Sequence, residues 1–218
     1  MTRIKICCIS SETEADEAVG AGVAALGLVS AMPSGPGVID EREIARIAAG
    51  VPPGVASFLL TSALDADEIL AQHQHCRTST LQLVDAVAPE TRAVLRGALP
   101  GIAIVQVIHV VGEESIDDAV AASRHADAIL LDSGNPGLPT KELGGTGRTH
   151  DWDLSRQIRE SVDLPVYLAG GLSSDNVAEA IRVVQPFGVD VCSGVRTAGQ
   201  LDPARLAQFV SAVRSATV

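Results

Sequence analysis

Eight short β-rich runs alternate with eight alanine-rich amphipathic segments along this chain, and no other feature narrows its possible folds as much. The predicted strands are Arg3–Cys8, Ala24–Val29, Gly54–Leu60, Thr80–Val84, Ala103–His109, Ala128–Asp132, Pro165–Ala169 and Val189–Cys192. Between them lie helical segments such as "DEREIARIAAG", "DADEILAQHQHC" and "SSDNVAEAIRVV", several opened by capping residues. Ser11 with Glu14 reads as a capping box, Ser173 or Ser174 and Asp202 stand at helix entries, and Asp151-Trp152 reads as a cap with a packed anchor. Strands that each lead into a helix imply a parallel β/α protein. Eight such units in 218 residues fit a single compact (β/α)8 TIM barrel spanning residues 1–218. The rival, a doubly wound open sheet, calls for a GxGxxG turn after the first strand, and "CCISSE" has no glycine.

Composition removes several classes of function. Aromatic residues make up 2% of the chain and the formal charge is −11, a poor match to a nucleic-acid backbone or its bases. A small phosphorylated ligand remains compatible, because backbone amides bind phosphate without net basicity. No apolar run approaches the ~20 residues that cross a bilayer, and "MTRIKICC" lacks the order of a signal peptide. A cytoplasmic protein with no membrane partner is the expectation, with Cys7, Cys8, Cys76 and Cys192 as reduced thiols outside any zinc or redox motif.

In a barrel of this kind the active site lies at the C-terminal strand ends. The period of two in "RIKICCIS" puts Lys5 and Cys7 on one face and Ile4, Ile6 and Cys8 on the other. The aliphatic face belongs against the helices, so Lys5 and Cys7 are predicted to point inward and Cys8 outward. By the same parity Asp132 ends the inner face of "DAILLD". A thiol and a carboxyl at one barrel mouth suit paired proton transfer. Packing for the cysteine and loop capping for the aspartate remain open as alternatives.

The ends of strands seven and eight carry "AGGLSSDN" and "CSGVRTAG". Gly170, Gly171, Ser193 and Gly194 permit close backbone approach to an anion at the recurrent phosphate position of these barrels, although two ordinary turns would read alike. The long loop after Asp132, "SGNPGLPTKELGGTGRTHDW", reads as a cover able to bring Arg148 to a ligand, or else as plain surface loop. "HQHC" spaces its histidines by two on a helix, which does not converge them on a metal, and no metal site is expected. His109 reads as a core or rim histidine.

Taken together, "KICCIS", "ILLDS", "GGTGRTHDW", "YLAGGLSSDNVAEAI" and "VDVCSGV" resemble the phosphoribosylanthranilate isomerase family of tryptophan biosynthesis, in order along the whole chain. The resemblance implies a cofactor-free barrel that converts N-(5'-phosphoribosyl)anthranilate to the 1-deoxyribulose phosphate. It also implies Cys7 as general base and Asp132 as general acid, with the phosphate on Gly170, Gly171, Ser193 and Gly194. A thiol of ordinary pKa ~8.5 then needs cationic help to ionise, and Lys5, two residues away on the same face, is one candidate. Asp190 takes the family's strand-eight aspartate position, near the anthranilate amine or the sugar. Lys5, Arg148 and Asp190 complete the expected substrate-binding set, in a monomer or homodimer.

The sequence also departs from the family pattern. The usual CG after strand one is Cys7-Cys8, the QLHG of strand four is "QLVD", and the SGVE of strand eight is SGVR with Arg196. The family's Ser-Pro-Arg, whose arginine grips the anthranilate carboxylate, is replaced by "SAMPSGPGVID". A paralogous isomerase of another phosphoribosyl-amine and a non-catalytic phosphate-binding barrel therefore stand beside the leading expectation.

Overall fold

Parallel pairing runs without a break through eight strands and from the last back to the first, closing the sheet into a barrel. The computed structural model describes residues 1–216. Its strands are β1 Arg3–Ile6, β2 Ala25–Val29, β3 Ala56–Thr61, β4 Thr80–Leu83, β5 Ala103–His109, β6 Ala128–Asp132, β7 Val166–Leu168 and β8 Gly188–Val191. The helices are α1 Glu12–Gly20, α2 Glu41–Gly50, α3 Ala66–Cys76, α4 Pro89–Ala98, α5 Glu114–Ser123, α6 Trp152–Ser161, α7 Val177–Val184 and α8 Pro203–Ala216. A two-stranded ribbon, β9 Arg196–Thr197 with β10 Gln200–Leu201, intervenes before α8. No helix among the described residues is long and apolar enough to cross a membrane.

Strand parity sorts the apolar residues into two cores. Ile4, Ile6, Leu26, Leu28, Leu59 and Leu81 pack between the sheet and the helices, while Ala25, Val29, Phe58, Leu60, Val105 and Tyr167 fill the barrel. Small residues among them, Ala25, Ala128 and Gly27, leave room for polar groups inside the barrel. Gly27 on β2 is the sharpest case: a Cβ there would lie 3.0 Å from both Lys5 Nζ and Cys7 Sγ.

The predicted caps hold in part. Asp202 accepts from the amides of Ala204 and Arg205, and Asp151 from those of Asp153 and Leu154. Ser11 Oγ accepts from Glu14 N at 3.2 Å, but the return half of the capping box is missing. The Glu14 carboxylate instead accepts from Ser10 N, Leu201 N and Arg196. At α7 the cap position is Asn176, not either serine, because Ser173 is used in the turn ahead of it.

The one reversal of side-chain direction is at Cys8. Strand β1 ends at Ile6, and Cys8 has φ +62°, a left-handed conformation unusual for a residue with a side chain. The alternation of the strand stops there, and Cys8 joins the inner cluster with Cys7, not the helix-facing layer with Ile4 and Ile6.

Candidate active site

A cleft enclosing about 660 Å³ of non-protein space, partly open to solvent, sits over the C-terminal ends of the strands. Its walls include Cys7, Gln82, Asp132, Asp190, Gly170, Gly171 and Ser193.

Cys7 follows directly from the end of β1, where its amide donates to Val191 O at 2.8 Å and locks the strand end to β8. The side chain is 8% exposed, and Gly27 provides the space beside it. Asp132 closes β6 and is 9% exposed, with Oδ1 accepting from Ser133 N at 2.7 Å. Burial raises its carboxyl above the usual range; the Ser133 amide and the His109 and Lys5 charges oppose this only in part. The other oxygen is covered by the loop: a Cβ on Gly144, which has φ +134°, would lie 2.6 Å from Asp132 Oδ2.

Lys5, expected beside the ligand, lies below the cleft and forms none of its walls. It is 0% exposed and its Nζ donates to Asp190 Oδ2 at 2.8 Å. Burial disfavours its charge, but Asp190 and Cys7 outweigh burial and hold the amine protonated. The remaining oxygen of Asp190, Oδ1, is buried without a protein partner, and Asp190 borders the cleft. Gln82 Oε1 is in the same position. Two buried acceptors at a cleft are satisfied by donors on a ligand or by water. Sequence reasoning passed over Gln82, although the alternation in "TLQLV" gives it the same inward parity as Asp132.

The turns after β7 and β8 come together, with Gly170, Gly171 and Ser193 on the cleft wall. Gly194 does not reach that wall; a Cβ there would overlap Leu172 O, so it serves the packing of one turn against the other. The loop between β6 and α6 lies across this face. A Cβ on Gly171 would lie 2.5 Å from the carbonyl carbon of Arg148, and Ser133 Oγ hydrogen-bonds Thr146 Oγ1 at 2.6 Å. Ser34 Oγ also donates to Lys141 O at 2.6 Å, joining the β2–α2 loop to the cover. Arg148 is absent from the cleft wall: its guanidinium is 61% exposed and pairs with Glu142 on the outside of the loop. His109 turns aside, bonding Val84 O through Nε2 at 2.9 Å.

Arg196, at the position of the family acid, is held through both terminal nitrogens, while its Nε is buried without a partner. It forms a two-pronged ion pair with Glu14, Nη1–Oε1 2.9 Å and Nη2–Oε2 3.1 Å, and also donates to the carbonyl oxygens of Cys7 and Cys8. No lysine, arginine or histidine side chain among the described residues lines the cleft. The far end is formed by Met32, Ser34, Gly35, Pro36 and Leu143, small and mostly apolar.

A closed eight-stranded barrel with a thiol, a buried carboxyl and paired glycine turns at its C-terminal mouth belongs to the (β/α)8-barrel enzymes whose site is built from β/α loops. Within that class the chain belongs to the N-(5'-phosphoribosyl)anthranilate isomerase family: the family described as N-(5'phosphoribosyl)anthranilate (PRA) isomerase matches residues 4–212. An N-(5'-phosphoribosyl)anthranilate isomerase of Methanothrix thermoacetophila is 36% identical over 215 residues, covering 99% of each chain. The crystal structure of phosphoribosyl anthranilate isomerase from Thermotoga maritima superposes with a TM-score of 0.85 at 29% identity, over 99% of this chain and 100% of that one. A phosphoribosyl anthranilate isomerase in complex with reduced 1-(o-carboxyphenylamino)-1-deoxyribulose 5-phosphate gives 0.82 at 27% identity, over 99% and 100%.

Proposed function

We propose that this chain isomerises N-(5'-phosphoribosyl)anthranilate to 1-(2-carboxyphenylamino)-1-deoxyribulose 5-phosphate, with Asp132 as general acid and Cys7 as general base. The observation that carries this reading is the pair itself: a thiol and a buried carboxyl of raised pKa border one cleft beside a double-glycine turn. Asp132, protonated, gives its proton to the furanose ring oxygen, and the aminal opens to a Schiff base. Cys7, as thiolate, takes the proton from C2', and the resulting enolamine tautomerises to the ketone. The two steps need one group to start protonated and the other not; burial keeps the proton on Asp132, and the cationic Lys5 lies beside Cys7 under the same glycine. Lys5 acts from below, through charge and by fixing Asp190, and not by touching substrate. Asp190 Oδ1 and Gln82 Oε1 accept from the amine and sugar hydroxyls, and Gly170, Gly171 and Ser193 receive the phosphate.

A second reading rests on the uncharged far end of the cleft. Without a guanidinium clamp on a carboxylate, binding forgoes on the order of 2–3 kcal/mol. Met32, Pro36 and Leu143 then suit a phosphoribosyl-amine whose aglycone carries no carboxylate. The test is loss of phosphoribosylanthranilate fluorescence on adding purified protein. Turnover at micromolar substrate supports the anthranilate; turnover only of a neutral-aglycone analogue selects the second reading. Turnover of neither overturns both.

A further inference from the structure

Cys8 and Cys192 have no part in the acid–base scheme, yet their sulfurs lie 2.7 Å apart. The strands beneath them enforce this approach. Ile6 is in register with Val191 where β1 meets β8, so the residues that follow leave the barrel side by side. The left-handed backbone at Cys8 then turns its side chain inward, and Gly37 packs so tightly against it that a Cβ there would overlap Cys8. Both cysteines border the cleft; Cys8 is buried and Cys192 partly exposed. All four cysteines of the chain are free, and Cys76 is buried away from the others beside α2.

The two thiols are chemically unequal. Cys192 is held below the ordinary thiol range chiefly by its hydrogen bond to Cys8, with help from Arg196, against burial. Cys8 is pushed up by its bonds to Cys192 and Cys7 and by burial. A partly exposed, more acidic thiol beside a buried, less acidic one is the arrangement of an attacking and a resolving cysteine.

We propose that Cys8 and Cys192 form a dithiol–disulfide site that low-molecular-weight disulfides oxidise to a cross-link between the ends of β1 and β8. In the first step Cys192 thiolate attacks one sulfur of the oxidant; a mixed disulfide forms and one small thiolate leaves. Cys8 then loses its proton, attacks Cys192 Sγ and expels the second small thiolate. The two cysteines give up two electrons and two protons, and the oxidant is reduced to two thiols. Closure shortens the sulfur separation from 2.7 Å to about 2.05 Å. Cys8 directly follows Cys7 and Cys192 directly precedes Ser193, so the cross-link moves both sides of the cleft. The cross-link does not depend on the catalytic reading; only its effect on turnover does.

The test equilibrates the whole chain with graded ratios of reduced and oxidised glutathione, quenches with acid and an alkylating agent, and maps the peptides by mass spectrometry. A Cys8–Cys192 cross-link is expected that dithiothreitol reverses, that survives in Cys7→Ser and that is lost in Cys8→Ser and Cys192→Ser. Fragmentation of the wild-type cross-linked peptide assigns Cys8 against Cys7 without any variant. Turnover falls linearly with the cross-linked fraction, and the fully cross-linked form turns over ~10–100-fold more slowly, the scale of ångström-level misplacement at an active site. A Cys7–Cys192 link, a stable glutathione adduct without cross-link, or thiols that stay reduced in excess oxidised glutathione would each overturn the site. Full turnover by fully cross-linked protein would overturn its coupling to catalysis.

Discussion

Arg196 and Glu14 form a buried two-pronged ion pair, 182 residues apart in sequence, directly beneath the backbone of Cys7 and Cys8. The same guanidinium donates to the carbonyl oxygens of both cysteines, so the pair fixes the chain just where strand β1 ends and the left-handed turn begins. Burial alone would push the Glu14 carboxyl up, but Arg196 and the amides of Leu201 and Ser10 hold it below its usual range.

Removing one partner leaves a charge buried without compensation. Glu14→Gln and Arg196→Met are each expected to cost ~3–5 kcal/mol of stability, read by denaturant unfolding. A group whose folded pKa is depressed stabilises above its unfolded pKa and loses that contribution as pH falls through the folded value. Wild type therefore loses stability on acidification through Glu14, and Glu14→Gln lacks this part of the loss. Arg196→Lys keeps the charge but not the fork; in folded protein it is expected to lower kcat more than it raises KM, because Cys7 is displaced while the glycine turn after β7 is not.

Asp132 sets a pH dependence of the opposite sign. Its carboxyl is raised by burial, so it remains protonated above the ordinary carboxylate range, and activity that needs this proton declines as pH rises through the raised value. The alkaline limb of kcat/KM should lie above the pH expected of an exposed aspartate. Stability also declines across that window, since the native state binds the proton more tightly than the unfolded chain. Asp132→Asn should flatten this decline while abolishing most turnover, which combined thermal melts and rate profiles read directly.

His150 stands under the Gly170 turn with both ring nitrogens buried and unpartnered, and burial lowers its pKa to about 4. Between the unfolded value near 6.5 and about 4 the unfolded chain binds the proton and the native chain does not, so stability falls as pH drops through this window. The loss is on the order of 2–3 kcal/mol by pH 4. His150→Phe removes the titration, and its acid unfolding should begin at lower pH than that of wild type.

Gly27 tests how closely the inner layer is fitted. A Cβ 3.0 Å from Cys7 Sγ and Lys5 Nζ pushes on two groups of the site at once. Gly27→Ala should fold, since its φ is not left-handed, and lower kcat by ~10–100-fold. Retained activity would mean that Cys7 has slack which the packing does not suggest.

Much of this molecule was legible before folding. The strand–helix alternation depends on local periodicity, and inward parity from "DAILLD" delivered Asp132 to the mouth. The unread parts share a physical cause: each depends on groups distant in sequence. Parity failed at Cys8 because a left-handed residue ends the alternation. Lys5 could be placed inward but not in depth, and its full burial follows from Asp190 arriving on β8. Arg148 was expected over a ligand, yet Glu142 on its own loop holds it outside. The Glu14–Arg196 pair and the approach of Cys192 to Cys8 arise only when β8 closes on β1.

The measurement that bears most directly on the central claim is single-turnover isomerisation of phosphoribosylanthranilate by wild type, Cys7→Ser and Asp132→Asn, each first shown to be folded. The acid–base pairing predicts that each substitution lowers the chemical rate ~10²–10⁴-fold while substrate still binds. A rate equal to that of wild type in either variant would contradict it.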